Sequence, residues 1–290
     1  MKKIILTTTL LLIMGMICGQ ENQYNPYQHR REEYIKTGLE LMTEGESSRC
    51  DEVQKIMNDY YTTIHFMEKS GELRDTYLYL KLLSRYLCQE SYDFFINMAH
   101  KDSLEENRCN AIRFLSWRRN LNFIPVFREY EKRDTLSVNE KLTLARAYVT
   151  LGVYNNRSDL INEAVTVLDC FCYDNNKESE KCMWDYYLIG GDMAIKFFTY
   201  YLQFENSRLI AALRLAELGV SDVTYPIFVE AVKSGKQGNI HSAIYGLAAI
   251  GSDEAFQILR ELTSSKDEFI AKQAKWIFQY IEMKRKEMEK

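Results

Sequence analysis

Apolar residues recur along the chain in a short pattern that returns at a nearly constant spacing. Each copy of the pattern consists of two apolar residues, one residue of any type, then usually a Glu, and then another apolar residue, as in Ile227-Phe228-Val229-Glu230-Ala231. The pattern begins at positions 94, 126, 160, 194, 227 and 258, which are 32, 34, 34, 33 and 31 residues apart. A steady period of this length predicts stacked copies of one supersecondary unit.

Each pattern follows a second apolar stretch that ends near a turn residue. Helical spacing of apolar residues with Gly just beyond predicts a helix and its end. Proline suits the first turn of a helix, where its missing N–H leaves no bond unmade. Each unit is therefore predicted to be helix, turn, helix. The apolar stretches and the glycines that follow them are Leu209 to Leu218 before Gly219, Ala243 to Ile250 before Gly251, and Leu142 to Leu151 before Gly152. The prolines are Pro125 and Pro226, which immediately precede copies of the pattern.

Two of these units resemble HEAT/armadillo-type helical repeats. One runs from Leu215-Ala216-Glu217-Leu218-Gly219 into Tyr225-Pro226-Ile227-Phe228-Val229-Glu230-Ala231-Val232. The other joins Ala248-Ala249-Ile250-Gly251-Ser252-Asp253-Glu254-Ala255 to Ile258-Leu259-Arg260-Glu261-Leu262. The resemblance spans roughly residues 75 to 268 and is strongest in its last third. It implies an all-α fold, an α-α superhelix (a solenoid of about six helical hairpins) in which each hairpin completes its core against neighbours.

The unit around residue 160 leaves a second family open. Leu151-Gly152, Ala164 and Leu168 also resemble a tetratricopeptide repeat, whose period is similar. Both families stack antiparallel helix pairs, and the two clearest units favour the HEAT-like one. The expected organisation is a signal peptide over residues 1–19, an N-terminal helical cap over 20–74, the repeat array over 75–268 and a C-terminal capping helix over 269–290.

The first residues favour export. Lys2 and Lys3 precede an apolar run from Ile4 to Ile17, which as a helix reaches about 21 Å, short of a bilayer core of roughly 30 Å. A signal peptide cleaved after Gly19 is therefore expected, and the mature chain is expected in the periplasm or secreted. The alternative is a lipoprotein anchored through Cys18, although Ile17 is not the small residue that such a site favours. No later segment predicts a transmembrane span.

Composition narrows the function classes. Removal of Lys2 and Lys3 with the signal changes the formal net charge from −4 to −6. An acidic chain argues against sequence-independent nucleic-acid binding, which needs a basic surface to displace counterions. We find no nucleotide-binding, zinc-protease or serine-hydrolase motif, and the expectation is a non-enzymatic protein without a cofactor.

Glutamates at the polar position of the pattern form the first candidate site. Carboxylates on adjacent second helices, roughly 8–10 Å apart, would make an acidic column facing a cationic partner. The preferred explanation is simpler, since a second helix needs a polar, helix-favouring residue that faces water. The column comprises Glu129, Glu163, Glu230 and Glu261.

The unit around residue 194 is rich in aromatic residues. Asp192, Lys196, Thr199 and Gln203 form one polar stripe on its second helix, which leaves aromatics around the remaining circumference. Exposed rings would anchor a protein or carbohydrate partner, whereas the preferred explanation is an aromatic core. The candidate binding residues are Trp184, Tyr187, Phe198 and Tyr201.

Six cysteines remain after Cys18, and three of them lie close together. Cys170, Cys172 and Cys182 have no nearby His and lack the ligand spacing of zinc sites, so no metal is expected. Helix ends joined by a short loop favour a Cys172–Cys182 disulfide. Cys170 is expected to point inward, and most other cysteines to be free and buried. A second cluster, Arg113, Trp117, Arg118 and Arg119, is explained by cations near a helix C-terminus.

These features together favour an exported scaffold that binds a protein, peptide or envelope component along a concave face. The first alternative is an extracytoplasmic carbohydrate-binding protein or enzyme that uses the aromatic fourth repeat. The second is an anchored structural lipoprotein, which depends on Cys18.

Overall fold

A computed structural model describes residues 50–70, 79–80, 83–84, 88–173 and 177–288. The predicted signal peptide, Cys18, residues 20–49 of the predicted N-terminal cap and the boundary between residues 74 and 75 lie outside the described residues. Among the described residues the fold is all-α, with thirteen α-helices, one short 3-10 helix and no strand. They form two compact units, which we call the N-terminal unit (residues 50–201) and the C-terminal unit (residues 202–288).

The N-terminal unit contains eight α-helices. They are α1 (Cys50–Ser70), α2 (Gln89–Lys101), α3 (Glu105–Trp117), α4 (Ile124–Glu131), α5 (Val138–Tyr154), α6 (Ser158–Cys172), α7 (Lys177–Ile189) and α8 (Gly191–Tyr201), with a 3-10 turn at Leu121–Phe123 before α4. The C-terminal unit contains five, which are α9 (Glu205–Glu217), α10 (Tyr225–Lys233), α11 (Gln237–Ile250), α12 (Asp253–Leu262) and α13 (Glu268–Met288).

The recurring sequence pattern marks alternate helices. Its six copies fall in α2, α4, α6, α8, α10 and α12, which we call the second helices. The intervening helices α3, α5, α7, α9, α11 and α13 are the first helices. The predicted alternation of helix, turn and helix is therefore present in both units.

First helices pack against one another within each unit. In the N-terminal unit α5 lies between α3 and α7, and in the C-terminal unit α11 lies between α9 and α13. First helices also pack on the second helices that follow them, as α5 does on α6 and α11 on α12. A hairpin that cannot bury both apolar faces alone is completed in this way by its neighbours.

Four of the five turn residues begin or end a helix as the sequence predicted. Pro125 and Pro226 lie in the first turns of α4 and α10, and Gly219 and Gly251 adopt φ of 85° and 68° just after α9 and α11. This left-handed conformation favours glycine. Gly152 does not end its helix, because α5 continues to Tyr154.

Close packing of α5 on α6 explains Gly152. A Cβ atom on Gly152 would lie 2.7 Å from Cγ1 of Ile161 and 3.0 Å from the carbonyl oxygen of Arg157. The missing side chain therefore lets the two helices approach, and Asn156, with φ of 54°, takes the left-handed position after α5.

In the core of the C-terminal unit, a glycine again allows two helices to pack closely. Phe228 of α10 is fully buried, and its ring lies directly over Gly246 of α11. A Cβ atom on Gly246 would come within 2.1 Å of the Phe228 ring. The position therefore has no room for a methyl group.

Gly246→Ala is expected to lower the free energy of unfolding by about 1–3 kcal/mol, the usual cost of overpacking, although alanine is the better helix former. The matched control is Gly238→Ala in the first turn of α11, where the added Cβ meets nothing within 4 Å. Urea denaturation followed by circular dichroism measures both. Equal stability of Gly246→Ala and the parent protein would contradict this packing.

Candidate binding surface on the second helices

An open groove of about 480 Å³ follows one face of α10. Ile227, Phe228 and Ala231 of this helix are buried in the core, so the residues between them face outward. The groove is lined by Tyr225, Pro226, Val229, Glu230 and Lys233, which lie on one helix face at spacings of three and four residues.

The groove combines an apolar floor with a charged rim. Tyr225 and Val229 are half-buried, whereas Glu230 and Lys233 are exposed. Arg208 of α9 lies beside the rim, with its Nη2 atom 3.6 Å from Oε2 of Glu230. Apolar area edged by both signs of charge is the composition typical of a polypeptide-binding surface.

The four pattern glutamates all have polar side-chain partners. Lys132 Nζ lies 2.8 Å from Glu129 Oε2, and this ammonium lowers the pKa of the exposed Glu129 carboxyl. Gln257 Nε2 donates to Oε1 of Glu261 at 3.4 Å. With the Glu230–Arg208 pair, these contacts place a cation beside Glu129 and Glu230 and an amide donor beside Glu261.

Glu163 is held by the preceding second helix. Arg128 of α4 donates two hydrogen bonds to the Glu163 carboxylate of α6, one of them from Nη2 to Oε2 at 2.5 Å. The same guanidinium contacts Glu131 at 3.1 Å and lies over the Tyr148 ring at 4.8 Å. Sequence reasoning missed Arg128, although it directly precedes the pattern Glu129. The contact ties two consecutive repeats together on this surface.

The aromatic fourth repeat is mostly core. Trp184 is 40% exposed, whereas Tyr187, Phe198 and Tyr201 are buried. Trp184 and Tyr187 are in ring contact at 5.5 Å. The structure thus leaves one of the four candidate rings, Trp184, at the surface of the N-terminal unit.

The hydroxyl groups of tyrosines help to explain how the packing around α8 accommodates so many aromatic rings. Tyr201 donates a hydrogen bond to the carbonyl oxygen of Cys172, and Tyr200 donates to that of Tyr173 at 2.6 Å. These bonds satisfy carbonyl groups at the end of α6 that the helix leaves open. Asp192, Lys196 and Thr199 of the predicted polar stripe are exposed on α8, and Gln203, also exposed, lies beyond the end of that helix.

Cys172 and Cys182 form a disulfide in the structure, with their Cα atoms 6.0 Å apart. This is the pairing expected from the sequence, and it joins the end of α6 to α7. Cys170 is exposed rather than inward-facing, because it lies on the opposite side of α6 from Cys172. Cys109 is free and buried as expected, whereas Cys88 is disulfide-bonded, an exception to the expectation that most of the other cysteines would be free.

The basic and aromatic cluster at the end of α3 covers neighbouring rings. Arg118 lies over Tyr92 at 5.9 Å, and Arg119 lies over Tyr154 at 3.3 Å. Trp117 is exposed and packs edge-on against Phe114 at 5.0 Å. These contacts connect the α3 end to α2 and α5, a structural role that extends the predicted helix-dipole effect.

A buried ionic network joins α3, α4 and α5. Arg108 Nη2 donates to Glu140 Oε1 at 2.7 Å, and the Tyr130 hydroxyl donates to the same oxygen. Glu140 also caps α5 with Ser137, whose backbone N–H donates at 2.9 Å. Burial acts to raise the pKa of Glu140, but hydrogen bonds from Tyr130, Ser137 and Arg108 outweigh it and hold the pKa at about 2.

The pKa of a second buried carboxylate, that of Asp185, is shifted in the opposite direction. Burial raises the pKa of Asp185 to about 6, even though Arg146 Nε donates to it at 3.0 Å. Both networks lie inside the N-terminal unit, and we interpret them as structural. Among the described residues, no group of acidic, His and Cys side chains is arranged to hold a metal ion. No described helix combines the length and apolar character needed to cross a bilayer.

Comparison with known proteins identifies no relative: no family model matches the chain, and neither a curated protein nor a solved structure matches it.

Glu140→Gln is expected to lower the free energy of unfolding by about 3 kcal/mol at pH 7, because it removes one partner of a buried ion pair. The Glu140 pKa is lower in the folded protein than its ordinary value near 4.3, so its stabilisation is present above that value and is lost as pH falls toward 2. The difference in the free energy of unfolding between Glu140→Gln and the parent protein should therefore be smaller at pH 3 than at pH 7.

Urea denaturation at pH 7 and pH 3 measures this, with the exposed Glu261→Gln as the control, for which a change within about 0.5 kcal/mol is expected. A Glu140→Gln effect of the same size at both pH values would contradict the assignment.

Proposed function

We propose that this chain is an exported HEAT-like scaffold, an α-α superhelix of about six hairpins, that binds a protein, peptide or envelope component along the concave face of its second helices. The observation that carries the proposal is the groove on α10, with its apolar floor of Tyr225 and Val229 and its rim of Glu230 and Lys233. Its volume of about 480 Å³ lies in the range of binding clefts.

Packing supports a role for the second helices. The first helix α11 is buried on most sides, whereas the second helix α10 keeps an outward face that a partner can reach. Charged side chains pair at these faces: Arg128 contacts Glu163 between two second helices, and Arg208 of the first helix α9 contacts Glu230 of α10. Such pairs can orient a partner and set specificity. They support binding rather than a proton-transfer role.

The aromatic alternative receives less support. A carbohydrate platform needs several accessible rings, and Tyr187, Phe198 and Tyr201 are buried in the N-terminal unit. Only Trp184 of that set is available to a sugar or peptide. The groove on α10 is therefore the preferred site.

A photoreactive phenylalanine analogue at Val229 is expected to cross-link a discrete partner in cells that export the protein, because Val229 lies on the groove floor. The matched control is the same analogue at Ile210, an exposed apolar position on α9. Lys233→Glu, which reverses one rim charge, should lower the adduct yield at Val229. The proposal fails if Val229 gives no adduct, or gives the same adducts as Ile210.

Export is the second part of the proposal. Disulfides at Cys172–Cys182 and at Cys88 support an oxidising compartment, where such bonds persist. The Lys2-Lys3 head and the apolar run from Ile4 to Ile17 support a signal peptide. We propose a periplasmic or secreted protein, with a lipid anchor at Cys18 as the alternative.

Peptide mapping of unreduced protein from its native fraction should find an N-terminus near Gln20 and a peptide that links Cys172 to Cys182, while exposed Cys170 reacts with iodoacetamide. A lipid-modified Cys18 terminus would select the anchored alternative. An intact Met1 with Cys172 and Cys182 both alkylated would contradict export.

A further inference from the structure

The last described helix, α13, carries a second apolar stripe besides the one that faces the core. Its core-facing residues include Ile270, Ala274, Ile277 and Ile281, all buried. On another face, Phe269, Trp276 and Met283 are 45%, 49% and 48% exposed. Core packing therefore leaves three large apolar side chains of one helix in contact with water.

These exposed residues are spaced seven apart. Phe269, Trp276 and Met283 occupy equivalent positions of successive heptads, and Gln273 and Tyr280 fall at the intervening positions of the same stripe. A seven-residue repeat keeps side chains on one seam of a helix that packs along a second helix. The seam from Phe269 to Met283 is about 21 Å long at 1.5 Å per residue.

The seam is symmetrical about its centre. Phe269 precedes Trp276 by seven residues and Met283 follows it by seven. In an antiparallel pair related by a two-fold axis at Trp276, each Phe269 meets Met283 of the second copy. A closed two-fold interface requires a surface that is complementary to itself, and thioether–aromatic contacts are favourable.

Charges along the seam favour the same antiparallel orientation. Glu268 and Lys286, eighteen residues apart, fall on one edge of α13, and both are exposed. With the axis at Trp276, an antiparallel pair brings Glu268 of one copy within two residues, about 3 Å along the helix axis, of the level of Lys286 of the other, at both ends of the seam. A parallel pair would instead put Glu268 level with Glu268 and Lys286 level with Lys286, without this attraction.

The available area suits a weak dimer. A large aromatic side chain has roughly 200 Å² to bury, so three half-exposed residues offer about 300 Å² per copy. The polar residues that flank them roughly double this, for a total of about 1,000–1,200 Å². That total is near the lower limit for a specific interface between proteins.

We propose that α13 mediates an antiparallel homodimer through the seam of Phe269, Trp276 and Met283. The second copy of the chain occupies this face, and its α13 runs in the opposite direction. This surface is separate from the groove on α10, so dimerisation and partner binding at that groove are distinct properties of the protein.

Sedimentation equilibrium of the mature chain over a wide concentration range tests the proposal. A reversible monomer–dimer equilibrium in the micromolar range is expected. Trp276→Glu and, separately, Met283→Glu should each weaken association at least tenfold, while circular dichroism shows unchanged helicity. Ile210→Glu, at an equally exposed apolar position of α9, is the control and should dimerise like the parent protein.

A charge exchange tests the orientation. Glu268→Lys should weaken the dimer, and Glu268→Lys combined with Lys286→Glu should restore it, because only an antiparallel pair brings these residues together. A monomer at every concentration, or dimers of Trp276→Glu as tight as the parent's, would overturn the proposal. So would binding of α13 to vesicles of anionic phospholipid without self-association, since the seam would then face a membrane.

Discussion

Helix α11 is buried at eight of its fourteen positions because α9, α10, α12 and α13 all pack against it. This enclosure of a first helix by its neighbours is the constraint on which the described structure depends, since no hairpin buries both faces alone. Its small residues, among them Ala243, Gly246 and Ala248, let the surrounding helices come close. In the N-terminal unit α5 has the corresponding position, with Gly152 allowing the approach of α6.

Burial of the first helices determines what the second helices can do. Only one side of a helix such as α10 is needed for the core, and its other side carries side chains of mixed polarity. The buried network of Arg108, Tyr130 and Glu140 fixes α3, α4 and α5 together, so the positions of the surface helices follow from a rigid interior. A preformed surface of this kind would reduce the entropic cost of binding in the scaffold that we propose.

The sequence predicted the helices better than the surfaces. Apolar spacing located all six second helices, because the requirement for a buried stripe acts locally and repeats. Gly152 was misinterpreted because a glycine that permits helix contact cannot be distinguished by sequence from one that ends a helix. The interior position expected for Cys170 was wrong because the helix register places it opposite Cys172, and the register depends on where α6 begins.

Site residues were harder to predict because exposure depends on tertiary packing. Tyr187, Phe198 and Tyr201 are core rings, and the Tyr201 hydroxyl bonds with a carbonyl at the end of another helix, which composition alone does not indicate. Glu163 pairs with Arg128 thirty-five residues earlier, so its environment depends on how α4 and α6 lie beside each other.

The central claim, that enclosed first helices hold each unit together while second helices present the surface, is tested most directly by native-state hydrogen exchange. The account predicts that amides of α11 exchange only through global unfolding of the C-terminal unit, with the strongest denaturant dependence in that unit. Amides on the outer face of α10 should exchange through smaller, local opening events. Exchange of α11 amides as fast as those of α10, with little dependence on denaturant, would contradict it.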